Sequence, residues 1–114
     1  MFAAIRVDGN IEIGVGHVLR CLTLAEKLVD LGIHSVFYTR NISPNLYRKI
    51  SKKFKTVRLT RLNNSFNPVD EYSKWLGTRQ SNDAHEFIDM TSNLDIKFII
   101  VDHYGLNEEW EFIV

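Results

Sequence analysis

A single cysteine, Cys21, stands in the 114 residues, so no intramolecular disulfide can form. A reducing compartment, the cytoplasm, is therefore the expected location. Charge of one sign is also missing: fourteen Lys and Arg balance fourteen Asp and Glu, and the sequence pI is near 6.9. No chain-wide basic field exists to attract nucleic acid or an anionic membrane. Long hydrophobic runs are absent as well. The apolar block Phe98 to Val101 holds four residues, where a membrane span needs about 20, so membrane insertion is not expected. The opening MFAAIRVDGN lacks a basic segment followed by a long apolar core, which argues against export. No two His or Cys residues have metal-ligand spacing, and neither a metal nor another cofactor is expected. There is no internal repeat, low-complexity segment, or Pro- or Ser-rich linker.

What is present is apolar material for one core: hydrophobic residues make up 45% of the chain. Ala3 to Val7 is short, apolar and β-compatible, and the polar DGN that follows closes it as a first strand. From His17 to Leu31 the positions Val18, Cys21, Leu22, Ala25, Leu28 and Val29 recur at three-and-four spacing, the signature of one helical face. Gly32 suits the left-handed residue that ends such a helix. Ser35 to Thr39 reads as a second strand, Leu46 to Phe54 as a short basic helix after an NISP turn, and Thr56 to Leu59 as a third strand. Residues 62 to 76 are turn-rich and then ambiguous. Ser81 is the expected N-cap of a helix over 82 to 93, with Asp83 placed favourably for the helix dipole. Lys97 to Asp102 reads as a strand covered on both faces, because its apolar residues are consecutive and three are β-branched. The final EEWEFIV begins like a helix and carries no stop signal, as if cut short. The alternation of strand and helix predicts an α/β fold, a parallel sheet with helices on its faces.

In an open parallel sheet, ligands gather beyond the carboxyl ends of the strands. Two polar loops meet that condition, Asp8 to His17 and Asp102-His103-Tyr104-Gly105. In the first, Gly14 and Gly16 permit backbone shapes and close ligand approach that a Cβ obstructs, and the helix that follows offers unpaired N–H groups to an anionic or oxygen-rich ligand. A dinucleotide fingerprint needs a glycine at position 19, where this chain has Leu19, and the Gly-Lys-Ser/Thr of a P-loop is missing. His17 stands where loop becomes helix. The partial positive charge there favours the neutral imidazole, the form able to accept a proton, which suits a general base. The bland alternative is a histidine packed at a helix start above a tight turn.

In the second loop, Asp102 either caps the turn, orients a neighbouring loop or serves a site. His103 and Tyr104 are candidates to face the cleft, without a choice between them. His34 reads as a solvated loop residue, His85 as a surface residue, and Cys21 as a small buried hydrophobe. The run Arg48 to Lys55 reads as a solvated helix face, since it lacks interleaved aromatics.

Three stretches, in order, carry a resemblance: RVDGNIEIGVGHVLRCLTLAEKL, WLGTRQSNDAHEF and IIVDHYGLNEEWE. Together they resemble the UDP-sugar hydrolases of pseudaminic acid biosynthesis, the PseG type, whose hallmark is Ile-Gly-x-Gly-His-x-x-Arg-Cys-Leu-x-Leu-Ala. The resemblance implies the N-terminal domain of a GT-B-like enzyme related in fold to MurG. It implies hydrolysis of UDP-2,4-diacetamido-2,4,6-trideoxy-β-L-altropyranose to UDP and the free sugar, by inverting attack of water without a metal. His17 is then the base, and Gly14, Gly16, Arg20, Asp102, His103 and Tyr104 are substrate-binding candidates. Arg20 either contacts a carboxylate or supports the loop. The partners implied are the UDP-sugar and a C-terminal nucleotide-binding domain beyond this chain, residues 1–114 forming the N-terminal Rossmann-like domain. Two alternatives stay open: a GT-B glycosyltransferase that needs an acceptor, and a sugar-nucleotide-binding module without turnover. The family has Asp-Ala-Ser or similar where this chain has Asp8-Gly9-Asn10, so the contacts of that loop differ.

Overall fold

The computed structural model describes residues 1–10, 13–59, 76–103 and 105–114. They form an α/β, Rossmann-like unit. Four parallel strands, β1 (Phe2–Val7), β2 (His34–Thr39), β3 (Lys55–Arg58) and β4 (Ile96–Asp102), lie in the order β3-β2-β1-β4. The helices are α1 (Gly16–Val29), α2 (Pro44–Ser51), α3 (Gln80–Thr91) and α4 (Glu108–Ile113).

Side-chain alternation along the strands divides the core into two layers. Ile5, Val7 and Phe37 turn to one face and pack with Val18, Cys21, Leu22 and Ala25 of α1 and Leu46 and Ile50 of α2. Ala4, Val36 and Tyr38 turn to the other and meet Ala84 and Phe87 of α3 and Trp110 of α4. The central strand is thus apolar on both faces, with one exception: Arg6 is fully buried.

Helix boundaries follow local chemistry. Ser43 caps α2 by accepting from the Leu46 N–H, and Pro44 fits the first helical position because its missing N–H has no partner to lose there. α2 therefore starts and stops earlier than the apolar spacing suggested. At the end of α1, Gly32 has φ +78°, its N–H bonds to the Val29 carbonyl (2.9 Å), and the Ile33 N–H reaches Leu28 (3.0 Å), a Schellman closure.

Three sequence expectations are corrected. Ser81 is not the cap of α3: the helix begins at Gln80, and the extended Arg79 precedes it without a side-chain cap bond. His34 lies in β2 rather than in a loop, although it is exposed. β4 is an edge strand, paired with β1 alone among the described residues, and Phe98 and Ile99 are 39% and 40% exposed. An apolar run shows that a strand can be buried on both faces, not that neighbours cover it. Phe112 of α4 is exposed as well. The ambiguous stretch 62 to 76 lies outside the described residues except for Leu76, which is buried. No helix among the described residues is long and apolar enough to cross a membrane.

Candidate active site

The strand order places the site. The chain runs outward from β1 to β2 to β3, then returns across the sheet to lay β4 on the other side of β1. Connections after β1 and β4 therefore diverge to opposite sides, and the crevice between them is the topological switch point where ligands of such sheets bind. The two polar loops singled out in the sequence leave from neighbouring strand ends there, where Val7 pairs with Asp102.

The loop after β1 is held from within. The Asn10 side-chain carbonyl accepts the Ile13 N–H (2.8 Å), and its amide donates to Asn41 Oδ1 (2.7 Å). The Gly14 N–H bonds to the Asn10 carbonyl (2.7 Å), with Gly14 at φ +97°, a conformation that side chains resist. Gly9 is required for a different reason: a Cβ there would stand 2.7 Å from Val18 Cγ2 and 3.1 Å from the Gly14 carbonyl. Gly16, the first residue of α1, has neither constraint, since a Cβ would meet nothing within 4 Å among the described residues. Of the two glycines expected to shape the backbone, Gly14 does so. Gly16 borders open space.

One residue further on, in the first turn of α1, His17 points inward, buried, toward the end of β4. Asp102 Oδ1 lies 2.5 Å from His17 Nδ1. Arg20, one turn along the helix, grips the same carboxylate through Nε to Oδ2 (2.8 Å) and Nη2 to Oδ1 (2.8 Å). Two hydrogen bonds come from a planar fork, the geometry in which guanidinium and carboxylate match best. Arg20 Nη2 also approaches His17 Nδ1 at 3.3 Å. Both nitrogens carry protons when Nδ1 donates to Asp102, so that approach is not a hydrogen bond; the shared carboxylate holds the two donors together. Burial opposes the charge on Asp102, but hydrogen bonds from His17 and Arg20 and their charges outweigh it and hold the carboxyl below its usual range. An ionised Asp102 fixes the His17 tautomer with its proton on Nδ1 and its basic lone pair on Nε2. Asp102 is thus neither a turn cap nor a bystander. It orients the histidine.

Cys21 lies in the core, as its helical spacing implies, with Sγ 3.9 Å from Asp102 Oδ2. Burial and the neighbouring Asp102 push its thiol up to about 12, which keeps it un-ionised and unsuited to nucleophilic work.

Beneath this pair lies a second cluster that the sequence reading did not single out. Asp83, in the first turn of α3, accepts Arg6 through Nη2 (2.7 Å) and Nε (3.0 Å), Arg40 Nε (2.9 Å) and Trp110 Nε1 (2.8 Å). Asp8 accepts Arg6 Nη1 (2.8 Å), the Arg40 N–H (2.7 Å) and His103 Nε2 (2.9 Å). Arg6, Asp8 and Asp83 are fully buried or nearly so. Burial opposes both carboxylates, yet Arg6 foremost, with His103 for Asp8 and Arg40 for Asp83, keeps Asp8 well below the ordinary range and Asp83 below it. The signal was available: an arginine inside an otherwise apolar strand, followed two residues later by an aspartate, needs buried partners.

This cluster also settles His103. Its Nδ1 accepts the Gly105 N–H (2.8 Å), so Nε2 carries the proton and donates to Asp8. Both ring nitrogens are used in tying the loop after β4 to the end of β1. His103 is buried and turned away from the crevice rather than facing it. Tyr104 lies outside the described residues. Among the described residues no group of three or more His, Cys, Asp or Glu is arranged to hold a metal ion.

Comparison with known proteins adds one similarity. The chain is 22% identical over 111 residues to the uncharacterized protein MJ1062 of Methanocaldococcus jannaschii, an alignment that takes in 96% of this chain and 18% of that protein. No protein-family model matches the chain. No solved structure matches it.

Proposed function

We propose that the chain is the N-terminal part of an inverting UDP-sugar hydrolase, acting in the cytoplasm on UDP-2,4-diacetamido-2,4,6-trideoxy-β-L-altropyranose, with His17 as general base. The observation that carries this reading is the Asp102–His17 pair at the switch point of the sheet, formed by two of the three motifs that resemble the pseudaminic acid hydrolases. A histidine whose Nδ1–H is held by a carboxylate is built to accept a proton at Nε2, and the carboxylate stabilises the positive charge that then forms.

Water, placed within reach of His17 Nε2, loses a proton to that nitrogen as its oxygen bonds to the anomeric carbon from the face opposite the diphosphate. The bond from the anomeric carbon to the diphosphate oxygen breaks, and UDP departs with the electron pair. The configuration inverts because attack and departure are on opposite faces. The open space at Gly16 and the φ +97° turn at Gly14 support a ligand approach beside the base. A GT-B arrangement, with a second domain holding most of the UDP, is part of the proposal.

UDP release from the altrose-configured UDP-sugar tests it, measured for the protein carrying the proposed second domain, for its His17→Ala variant and for the 114-residue chain alone. Release without an acceptor, reduced on the order of a hundredfold or more by His17→Ala with binding retained, is the expected result. Release that requires an added acceptor would instead mark a transferase. Binding with no turnover in either protein would mark a carrier module.

A further inference from the structure

Asp102 serves two masters. Its Oδ1 receives both the His17 Nδ1–H and Arg20 Nη2, and its Oδ2 receives Arg20 Nε. The three groups differ in exposure. The His17 and Asp102 side chains are 11% and 18% exposed, whereas that of Arg20 is 66% exposed, at the rim of the crevice next to the open space at Gly16. With Arg20 on it, the carboxylate charge is matched by a guanidinium, and His17 receives a share of that charge. With Arg20 elsewhere, the whole charge of Asp102 falls on the imidazole. A guanidinium on a long stem at the surface exchanges one anionic oxygen partner for another without moving the backbone.

We propose that Arg20 is a ligand-operated positioning residue: it exchanges Asp102 for an anionic oxygen of the ligand's diphosphate, and the exchange hands Asp102 to His17. The base is then strengthened when the diphosphate arrives, which couples recognition of a nucleoside diphosphate sugar to the reaction. Among the described residues, the nearby ionisable groups are already committed elsewhere. The Cys21 thiol stays protonated beside Asp102, and the next charged cluster, Arg6, Asp8 and Asp83, is internally matched and buried. The proposal rests on the hydrolase reading for the identity of the ligand, but the exchange itself is testable without turnover.

The experiment is nuclear magnetic resonance of the 114-residue chain labelled with 15N in its histidines, titrated with inorganic pyrophosphate and with UDP. The His17 signals are identified by their loss in His17→Gln. Addition of either anion to the parent chain is expected to shift the Nδ1–H resonance of His17 downfield. Arg20→Met is expected to show the shifted resonance before any anion is added, to move no further, and to bind pyrophosphate about tenfold more weakly or worse. Arg20→Lys keeps one charge but cannot bridge both carboxylate oxygens, so it should hold pyrophosphate affinity better than Arg20→Met while resembling it in the resting His17 signal. The dispersion of backbone amide signals reports whether each variant is folded. Pyrophosphate affinity unchanged in a folded Arg20→Met, or saturation of the parent chain without movement of His17, overturns the exchange. Absence of any anion binding both by this chain and by the protein carrying the proposed second domain overturns it too. If the exchange occurs but the two-domain protein releases no UDP, the switch stands and the hydrolase reading falls. Histidine-dependent UDP release without the exchange removes only the switch.

Discussion

Among the described residues, aspartate meets arginine at two places in the fold, and they are built for opposite ends. Around Asp83 and Asp8 the carboxylates are fully enclosed, both oxygens of each carry at least one hydrogen bond, and the donors come from β1, from the residue after β2 and from the chain after β4. Around Asp102 the donors come from one turn of α1, and the cation is at the surface. Identical chemistry therefore yields a permanent tie in one place and an exchangeable contact in the other. Desolvation makes the difference: a buried charge cannot leave its partner without severe cost, while a rim guanidinium has water or a ligand as an alternative.

Breaking the buried pairing gives the largest expected effect. Asp83→Ala removes two of the hydrogen bonds of the buried Arg6 and a partner of Arg40, and is expected to lower unfolding free energy by about 3–5 kcal/mol, measured by urea denaturation. A loss below ~1 kcal/mol would mean that water reaches Arg6 and that the cluster is less closed than it looks. The sign of the pH dependence follows from the same carboxylates. Both Asp8 and Asp83 are held below their unfolded value of about 3.9, so their contribution is present above that pH and is lost as pH falls toward the folded values. Acid unfolding of the parent chain should be steep below about pH 4, and less steep in a folded Asp83→Asn variant.

Asp102→Asn sharpens the contrast. Stability should change by no more than ~1 kcal/mol, because the pairing is partly exposed. Turnover under the proposed mechanism should fall on the order of a hundredfold or more, because an amide can present its N–H to Nδ1 and favour the wrong tautomer. Equal losses of stability and activity would erase the distinction between the two pairings. The smallest effects separate the glycines. Gly14→Ala meets a positive φ and should cost about 1 kcal/mol or more. Gly16→Ala should leave stability within about 0.5 kcal/mol while raising the KM for the UDP-sugar, and an unchanged KM would remove Gly16 from the ligand surface.

Periodicity was enough to read the secondary structure of α1, including its apolar face and its glycine closure, because that helix buries one stripe against one layer. The limits at α2 and α3 moved by a few residues where Pro44 and Asn107 intervened: the Asn107 N–H takes the Gln80 side-chain carbonyl at 2.9 Å, and Ser81 is left without a capping role. His17 and Asp102 were named from the sequence because each lies at the end of an element beside a polar loop, and Arg20 was named through the resemblance of its motif. Their mutual geometry was not legible, because His17 and Asp102 are 85 positions apart and meet only through the sheet. His103 shows the converse: a polar loop position looked like a cleft residue, yet both of its ring nitrogens face the interior.

By itself, the order of residues determined the alternation of strand and helix, the α/β class, the absence of disulfides and the candidate ends at Gly14 to His17 and Asp102, because these depend on local spacing and composition. Strand order was decided by tertiary structure. Only the return of the chain across β1 makes β4 an edge, brings Asp102 to His17, and leaves Arg6 enclosed between Asp8 and Asp83. Local sequence cannot encode those distances, since each depends on which non-adjacent strands share backbone hydrogen bonds and on which side chains the resulting layers shut away from water.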